Sequence, residues 1–268
     1  TATHKPNILA SIPNQRSIWN YVVPSGSKTP ESAAAAKPCV ACTKLSKPQV
    51  HTIVRLTERV LARFSPTFTP DVTHVIVNAN DQNCVEDHTM KYVAAVAAGL
   101  WVLNFDWVKD CLRQECIVPE EPYEVLDMSG FPGPKTARLT REKDPLFKGY
   151  KFYCADPFLS ISKAQVEMII RLLQGKVLPD MNGLLKDDGN IGLIIAEGRD
   201  TEDVEQYERW VEQYRTVTVD IEWLCRCIGQ YRMVSLRPYI SGSEVNLDNL
   251  RYPPQLTEIV PFSFTETF

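Results

Sequence analysis

The sequence predicts an α/β protein of two tandem domains, each a small parallel four-stranded sheet flanked by helices, packed together through helices. Two observations predict the class. Short β-branched runs such as Val72-Thr-His-Val-Ile-Val77 and Ile191-Gly-Leu-Ile-Ile195 alternate with segments whose apolar residues recur at helical spacing. Such alternation implies parallel strands joined by crossover helices. A third observation predicts the duplication. Asp106-Trp107-Val108 with Cys111-Leu112 and Gln114 lies over Glu222-Trp223-Leu224 with Cys227-Ile228 and Gln230. The repeating unit is too long for a solenoid, and 268 residues accommodate two ordinary domains.

Residues 1–37 read as a leader: prolines at 6, 13, 24 and 30, Ser25-Gly26-Ser27 and the Ala33–Ala36 run leave no sustained periodicity. Trp19 and Tyr21 are its exception, able to dock on a domain. The first domain spans 38–127. Cys39–Cys42 is a strand, and Ser46 caps a helix with Pro48 in its first turn and Val50, Ile53, Val54, Leu61 and Phe64 along it. Val72–Val77 is the next strand. Thr89–Ala98 is a helix carrying Tyr92, Val93, Val96 and Ala97 on one face, stopped by Gly99. Trp101-Val-Leu103 is a strand, and Asp106 caps a helix with Trp107, Val108, Cys111 and Leu112 inward.

Residues 128–145 read as a linker through Ser129-Gly-Phe-Pro-Gly-Pro-Lys-Thr-Ala-Arg138. The second domain spans 146–242. Tyr150–Cys154 is a strand, and Ser162 caps a helix with Val166, Ile169, Ile170 and Leu173 inward and Gly175 as stop. Ile191–Ile195 and Thr216–Val219 are strands, and Glu222 precedes a helix bearing Trp223, Leu224, Cys227 and Ile228. The Val166–Leu173 helix is expected to lie against the first domain's last helix, around Trp107 and Leu112. A tail follows from 243 to 268, with Phe262, Phe264 and Phe268 free to fold back or fray.

With 44% hydrophobic and 23% charged residues the chain has the balance of a folded domain. No apolar run approaches the roughly 18 residues of a membrane-spanning helix, so no membrane partner is expected. Thr1 opens the chain without a signal pattern or initiator Met, as a segment of a longer protein would. Six basic residues face only Glu31 in the first 50, while acids outnumber bases in the rest. An acidic body argues against tracking along a nucleic-acid backbone. The eight cysteines sit largely in apolar stretches, as reduced thiols of a cytosolic or nuclear protein do. Cys39-Val-Ala-Cys42 has zinc-like spacing but no second ligand pair, so no metal or other cofactor is expected.

Nothing points to catalysis. The histidines (His4, His51, His74, His88) are scattered, without a GxSxG or HExxH motif. The acid groups Glu120-Glu121, Asp187-Asp188 and Asp200 with Glu202-Asp203 read as solvated loops or helix ends. Gly189-Asn-Ile-Gly192 lacks the lysine of a phosphate loop. No catalytic residue and no small-molecule substrate are assigned.

Each half resembles a BRCT domain, whose signature is a tryptophan in the last helix after an apolar strand, here Trp107 and Trp223. Thr73-His-Val-Ile-Val, Thr89-Met-Lys-Tyr and Gly99-Leu-Trp-Val-Leu carry the likeness in the first copy, which extends over residues 38 to about 242. Within the family, Cys84-Val-Glu-Asp-His-Thr-Met-Lys-Tyr92, Gly133–Arg138, Cys154-Ala-Asp-Pro-Phe158 and Val217–Trp223 resemble the C-terminal pair of a RING-type ubiquitin ligase. Trp107–Arg113 and Arg138–Glu142 are similar to the pair of that ligase's RING-domain partner.

The resemblance implies a nuclear phosphopeptide-binding module of the DNA-damage response. A phosphoserine needs a hydroxyl, a backbone N–H and a fixed ammonium around one small anion. Lys91 falls at the family's phosphate-pocket lysine, Thr43 at its hydroxyl residue, with Thr89 as a second hydroxyl near by. Lys44 stands where the ligase has glycine. The family's specificity groove accepts an aromatic side chain three residues after the phosphoserine. There His88 replaces an arginine that holds the peptide backbone, Val93 a phenylalanine and Ile161 a methionine. The expected partners are phosphorylated repair or checkpoint proteins with a pSer-x-x-aromatic-like segment. The alternative is phosphate-independent docking on a nucleosome, ubiquitin-marked chromatin or a folded protein.

Overall fold

The computed structural model describes residues 37–198, 204–242 and 245–258. Residues 1–36, the acids 200–203 and the closing phenylalanines lie outside them, as do the readings made for those segments. The first repeat runs β1 (Cys39–Cys42), α1 (Lys47–Arg59), β2 (Arg63–Phe64), β3 (His74–Val77), α2 (Met90–Ala98), β4 (Trp101–Asn104) and α3 (Phe105–Gln114). Between the repeats lies α4 (Gly133–Thr140). The second repeat runs β5 (Tyr150–Cys154), α5 (Lys163–Leu172), β6 (Lys176–Val177), β7 (Ile191–Ala196), α6 (Val204–Tyr214), β8 (Thr218–Asp220) and α7 (Ile221–Gln230), followed by α8 (Pro254–Thr257).

Both sheets are four-stranded and parallel, in the orders β2-β1-β3-β4 and β6-β5-β7-β8. The chain leaves β1 toward one edge and returns to β3 on the other side. The loops at the carboxyl ends of β1 and β3 therefore diverge, and a crevice opens between them. Trp107 and Trp223 are fully buried, each donating its indole N–H to a carbonyl eleven residues on, Val118 at 3.1 Å and Val234 at 3.0 Å.

Local chemistry explains most element ends. The Ser46 N–H donates to Gln49 Oε1 at 2.8 Å, closing the start of α1 with Pro48 in its first turn. The Thr89 hydroxyl accepts from the Tyr92 N–H, and Gly99 takes the left-handed φ of 67° that ends α2. The caps of the two tryptophan helices fall two residues earlier than the sequence suggests. Asn104 and Asp220 accept from the N–H groups of Asp106 and Glu222, because each is the last residue of its strand and the helix follows without a loop.

Several expectations need correction. Helix α1 stops at Arg59, so Leu61 is 71% exposed and Phe64 belongs to the edge strand β2. At two residues each, β2 and β6 are too short to show a period. After α5 it is Gln174 that adopts the left-handed φ, of 62°. Gly175 is needed for space instead: a Cβ there would stand 2.6 Å from Ile170 and 2.9 Å from Phe152. The linker is also not a plain loop, since α4 packs on both repeats. Finally, Glu120 bonds the buried His74 at 3.2 Å, and Asp188 holds the buried Lys151 and the exposed Lys176, so neither acid is merely solvated.

The repeats meet through α2 rather than α3. Helix α2 touches α4, α5 and α7, whereas α3 packs on α1 of its own repeat. The reason lies in their faces. Every residue of α2 from Tyr92 to Ala98 is buried, so the helix has no solvent side and must be covered all round. Helix α3 buries one stripe, Trp107, Val108 and Cys111, which its own sheet and α1 already cover. One apolar core accordingly joins Tyr92, Val93 and Val96 of the first repeat to Ile169, Trp223 and Ile228 of the second.

Candidate functional site

Three of the sequence-assigned residues meet at the crevice between β1 and β3. Thr43 directly follows β1, where its N–H continues the ladder to the Ile76 carbonyl at 3.1 Å. Its hydroxyl donates to the Thr89 hydroxyl at 3.1 Å, and Thr89 in turn caps α2. Lys44 comes next, in the left-handed region at φ 55°. These three, with Val77 and Asn78 at the end of β3 and Glu86 and Asp87 opposite, line a cavity of about 110 Å³.

Lys91, the second residue of α2, reaches the strand that leads into Thr43. Its ammonium donates to the carbonyls of Cys42 (3.1 Å) and Pro66 (3.0 Å), so the charge is fixed beside the residue that precedes Thr43. Burial pulls its pKa below the usual lysine range. The sequence marked neither Asn78 nor the two acids. Asn78 donates to Glu86 at 2.6 Å, and Lys44 pairs with Asp87 at 3.3 Å. Asn78 was findable as the first residue past a strand at the reversal of strand order. The pairing of Lys44 with Asp87 depends on a left-handed turn that no periodicity signals.

The groove residues lie at the seam between repeats. His88 stacks on Tyr92 with centroids 5.4 Å apart and packs against Gly229 of α7. Val93 is fully buried and Ile161 is 6% exposed, both inside the shared core. Arg226 and Gln230 of α7 reach across to the Ser129 hydroxyl at 3.5 and 3.3 Å. The seam thus presents polar groups around His88, while its apolar members are already packed.

Burial, with Arg226 adding to it and Asp87 opposing, depresses the His88 pKa from 6.5 to about 4. The folded protein keeps this imidazole neutral where the unfolded chain would bind a proton. Stability is therefore complete above pH 6.5 and falls as pH drops toward about 4. The expected loss is roughly 3 kcal/mol, from 1.36 kcal/mol per pK unit. Urea midpoints for the wild type and His88→Asn across this range check it. Equal losses in both would show that His88 is not the titrating group.

The second repeat offers an internal comparison. Ala155 donates to the Ile195 carbonyl at 2.8 Å as Thr43 does to Ile76, and Cys154 pairs with Ile195 as Cys42 pairs with Ile76. By this register Ala155 occupies the place of Thr43, and Glu197 that of Asn78. The Glu197 carboxylate accepts the N–H groups of Leu159 and Ser160 at 2.5–3.0 Å. The second crevice therefore lacks the hydroxyl and already contains a carboxylate seated on its backbone donors.

Residues 37–112 match the model of the BRCT family, described as the BRCA1 C Terminus (BRCT) domain. The chain is 26% identical over 201 residues to the breast cancer type 1 susceptibility protein homolog of Mus musculus, covering 73% of this chain and 11% of that protein. It is 32% identical over 165 residues to the BRCA1-associated RING domain protein 1 of Arabidopsis thaliana, covering 60% of this chain and 23% of that protein. The chain thus spans between about a tenth and a quarter of the length of these relatives. A crystal structure of Rtt107p superposes with a TM-score of 0.51 at 10% identity, covering 79% of this chain and 96% of that one, a likeness of fold. BRCT domains are binding modules rather than catalytic ones. The first repeat is matched by the BRCT family model, and the second reproduces its strand order and buried tryptophan, so the chain is similar to a tandem pair of BRCT domains.

Proposed function

We propose that this pair is a phosphoserine reader of a nuclear DNA-repair or checkpoint protein, and that the first repeat holds the phosphate. The observation that carries the reading is the convergence of two hydroxyls, Thr43 and Thr89, on one small cavity, with the Lys91 ammonium fixed on the Cys42 carbonyl beside Thr43. A phosphate there accepts from the hydroxyls and is attracted by the ammonium and by the positive end of α2. The depressed Lys91 pKa fits this role, because an arriving dianion supplies the opposite charge that burial withholds. The second crevice, occupied by Glu197, is left to structure. The peptide bears a pSer-x-x-aromatic-like motif and runs from the phosphate pocket toward His88, Val93 and Ile161. Since Val93 and Ile161 are packed, an aromatic ring enters only if that packing opens. The longer protein, by likeness to its relatives, is a subunit of a RING ubiquitin ligase.

A specific observation supports a second reading, docking on chromatin or a folded protein without phosphate. Glu86 and Asp87 share the cavity and repel an anion. Fluorescence polarisation with an oriented phosphoserine library separates the two. The reader predicts micromolar binding that disappears without the phosphate. Lys91→Met should weaken it about 10- to 100-fold, as the loss of a charge-assisted hydrogen bond does. Thr43→Val should weaken it less and leaves the Lys91 anchorage in place. Equal binding of phosphorylated and unphosphorylated peptides, unmoved by either variant, would favour docking.

A further inference from the structure

A second, larger notch of about 430 Å³ lies across Asn78 from the phosphate cavity, at the carboxyl ends of β3 and β4. Its lining is rich in amides, among them Asn78, Asn80, Asn83 and Asn104, and its charged groups are Asp81, Asp106 and Lys109. The two carboxylates are not equivalent. Asp106 is held by Lys109 on its own helix at 2.6 Å, whereas Asp81 has no cationic partner among the described residues. The turn carrying Asp81 is fixed. Asn80 Oδ1 accepts the N–H groups of Gln82 and Cys84 at 3.0 Å each. Asn83, left-handed at φ 60°, donates to the Glu124 carbonyl at 2.9 Å and accepts from Asn104 at 2.8 Å. Phe105 adds an apolar wall along which a long aliphatic stem can lie.

We propose that this notch is a subsite for an arginine or lysine side chain that precedes the phosphoserine, with Asp81 as its counter-charge. The proposal rests on the reader function above and specifies its ligand. The direction follows from the layout. The proposed reader sends the residues after the phosphoserine toward His88, which packs on α7, while the notch shares Asn78 with the phosphate cavity and is left to the residues before it. The pairing of charges is complementary: the peptide brings an anion to Lys91 and Thr43 and a cation to the one carboxylate left unpaired in the notch.

The test is fluorescence polarisation with phosphoserine peptides bearing arginine, lysine, citrulline or glutamate at each of the three preceding positions. The wild type should favour arginine over citrulline by roughly two- to fivefold at one of these positions, the range of an exposed ion pair. Asp81→Asn should abolish that preference without changing phosphate dependence, and Asp81→Arg should invert it toward glutamate. Phosphate-dependent binding with no arginine preference, or a preference that survives both variants, would overturn the subsite alone. Binding that ignores the phosphate would overturn the reader function, and the subsite with it. Asp81 sits on an exposed turn, so both variants should melt as the wild type does.

Discussion

Trp223→Ala should lower the unfolding free energy of the pair by roughly 3–5 kcal/mol, the cost of deleting a large buried side chain. The indole is fully buried, faces Phe147 with centroids 6.4 Å apart and donates to the Val234 carbonyl at 3.0 Å. Its removal leaves both a cavity and a buried acceptor without its partner. For a domain of ordinary stability, roughly 5–15 kcal/mol, that is a large share. Because Trp223 belongs to the same core as Tyr92, Val93 and Val96, the loss should appear in both repeats. Calorimetry should show one transition, moved down as a whole. Two transitions, with the first repeat melting at its original temperature, would mean that the shared core does not couple the repeats.

Gly133→Ala should be nearly as damaging, although it adds one methyl group to a segment that reads as a linker. A Cβ at Gly133 would stand 1.8 Å from the Gly229 carbonyl oxygen and 2.9 Å from the Gln230 carbonyl carbon. Backbone faces backbone here, so no side chain can turn away and α4 must lift from α7. Overpacking of this kind costs about 1–3 kcal/mol, and the upper part of that range is expected. Gly229→Ala supplies the contrast. Its Cβ would meet His88 Nε2 at 2.7 Å, the far end of a side chain that can rotate. It should cost less, and should disturb the residues after the phosphoserine more than the phosphate itself. Denaturant melts of both variants, with phosphopeptide affinities, check the pair; equal destabilisation would show that α4 and α7 can move apart freely.

Glu86 and Asp87 bear on how strongly the proposed phosphate cavity reads its ligand. Lys44 and Asp87 are 54% and 57% exposed, so their ion pair is weak and can be exchanged for a phosphate contact. In the second repeat the carboxylate is seated on backbone donors instead. The same fold thus carries one crevice with a displaceable acid at its rim and one with an acid at its centre.

What the sequence determined by itself is what local pattern controls. The β-branched runs placed β1, β3, β5 and β7, whose side chains are buried on both faces, and the helical spacings placed most of the helices. The duplicated tryptophans fixed the two-repeat plan. Thr43, Thr89 and Lys91 were picked out by the resemblance to a family motif, and the pattern placed each at the end of an element. Tertiary structure decided the rest. The edge strands β2 and β6 exist only because β1 and β5 offer them a ladder. The linker became a helix where Gly133, lacking a Cβ, lets its backbone touch that of Gly229. Which helix joins the repeats was settled by covering α2 on every side. The setting of Asn78, Asp81 and Glu197 came from strand ends that converge in space from distant parts of the chain. Local order follows from neighbours along the chain, whereas these features follow from surfaces that meet only after folding.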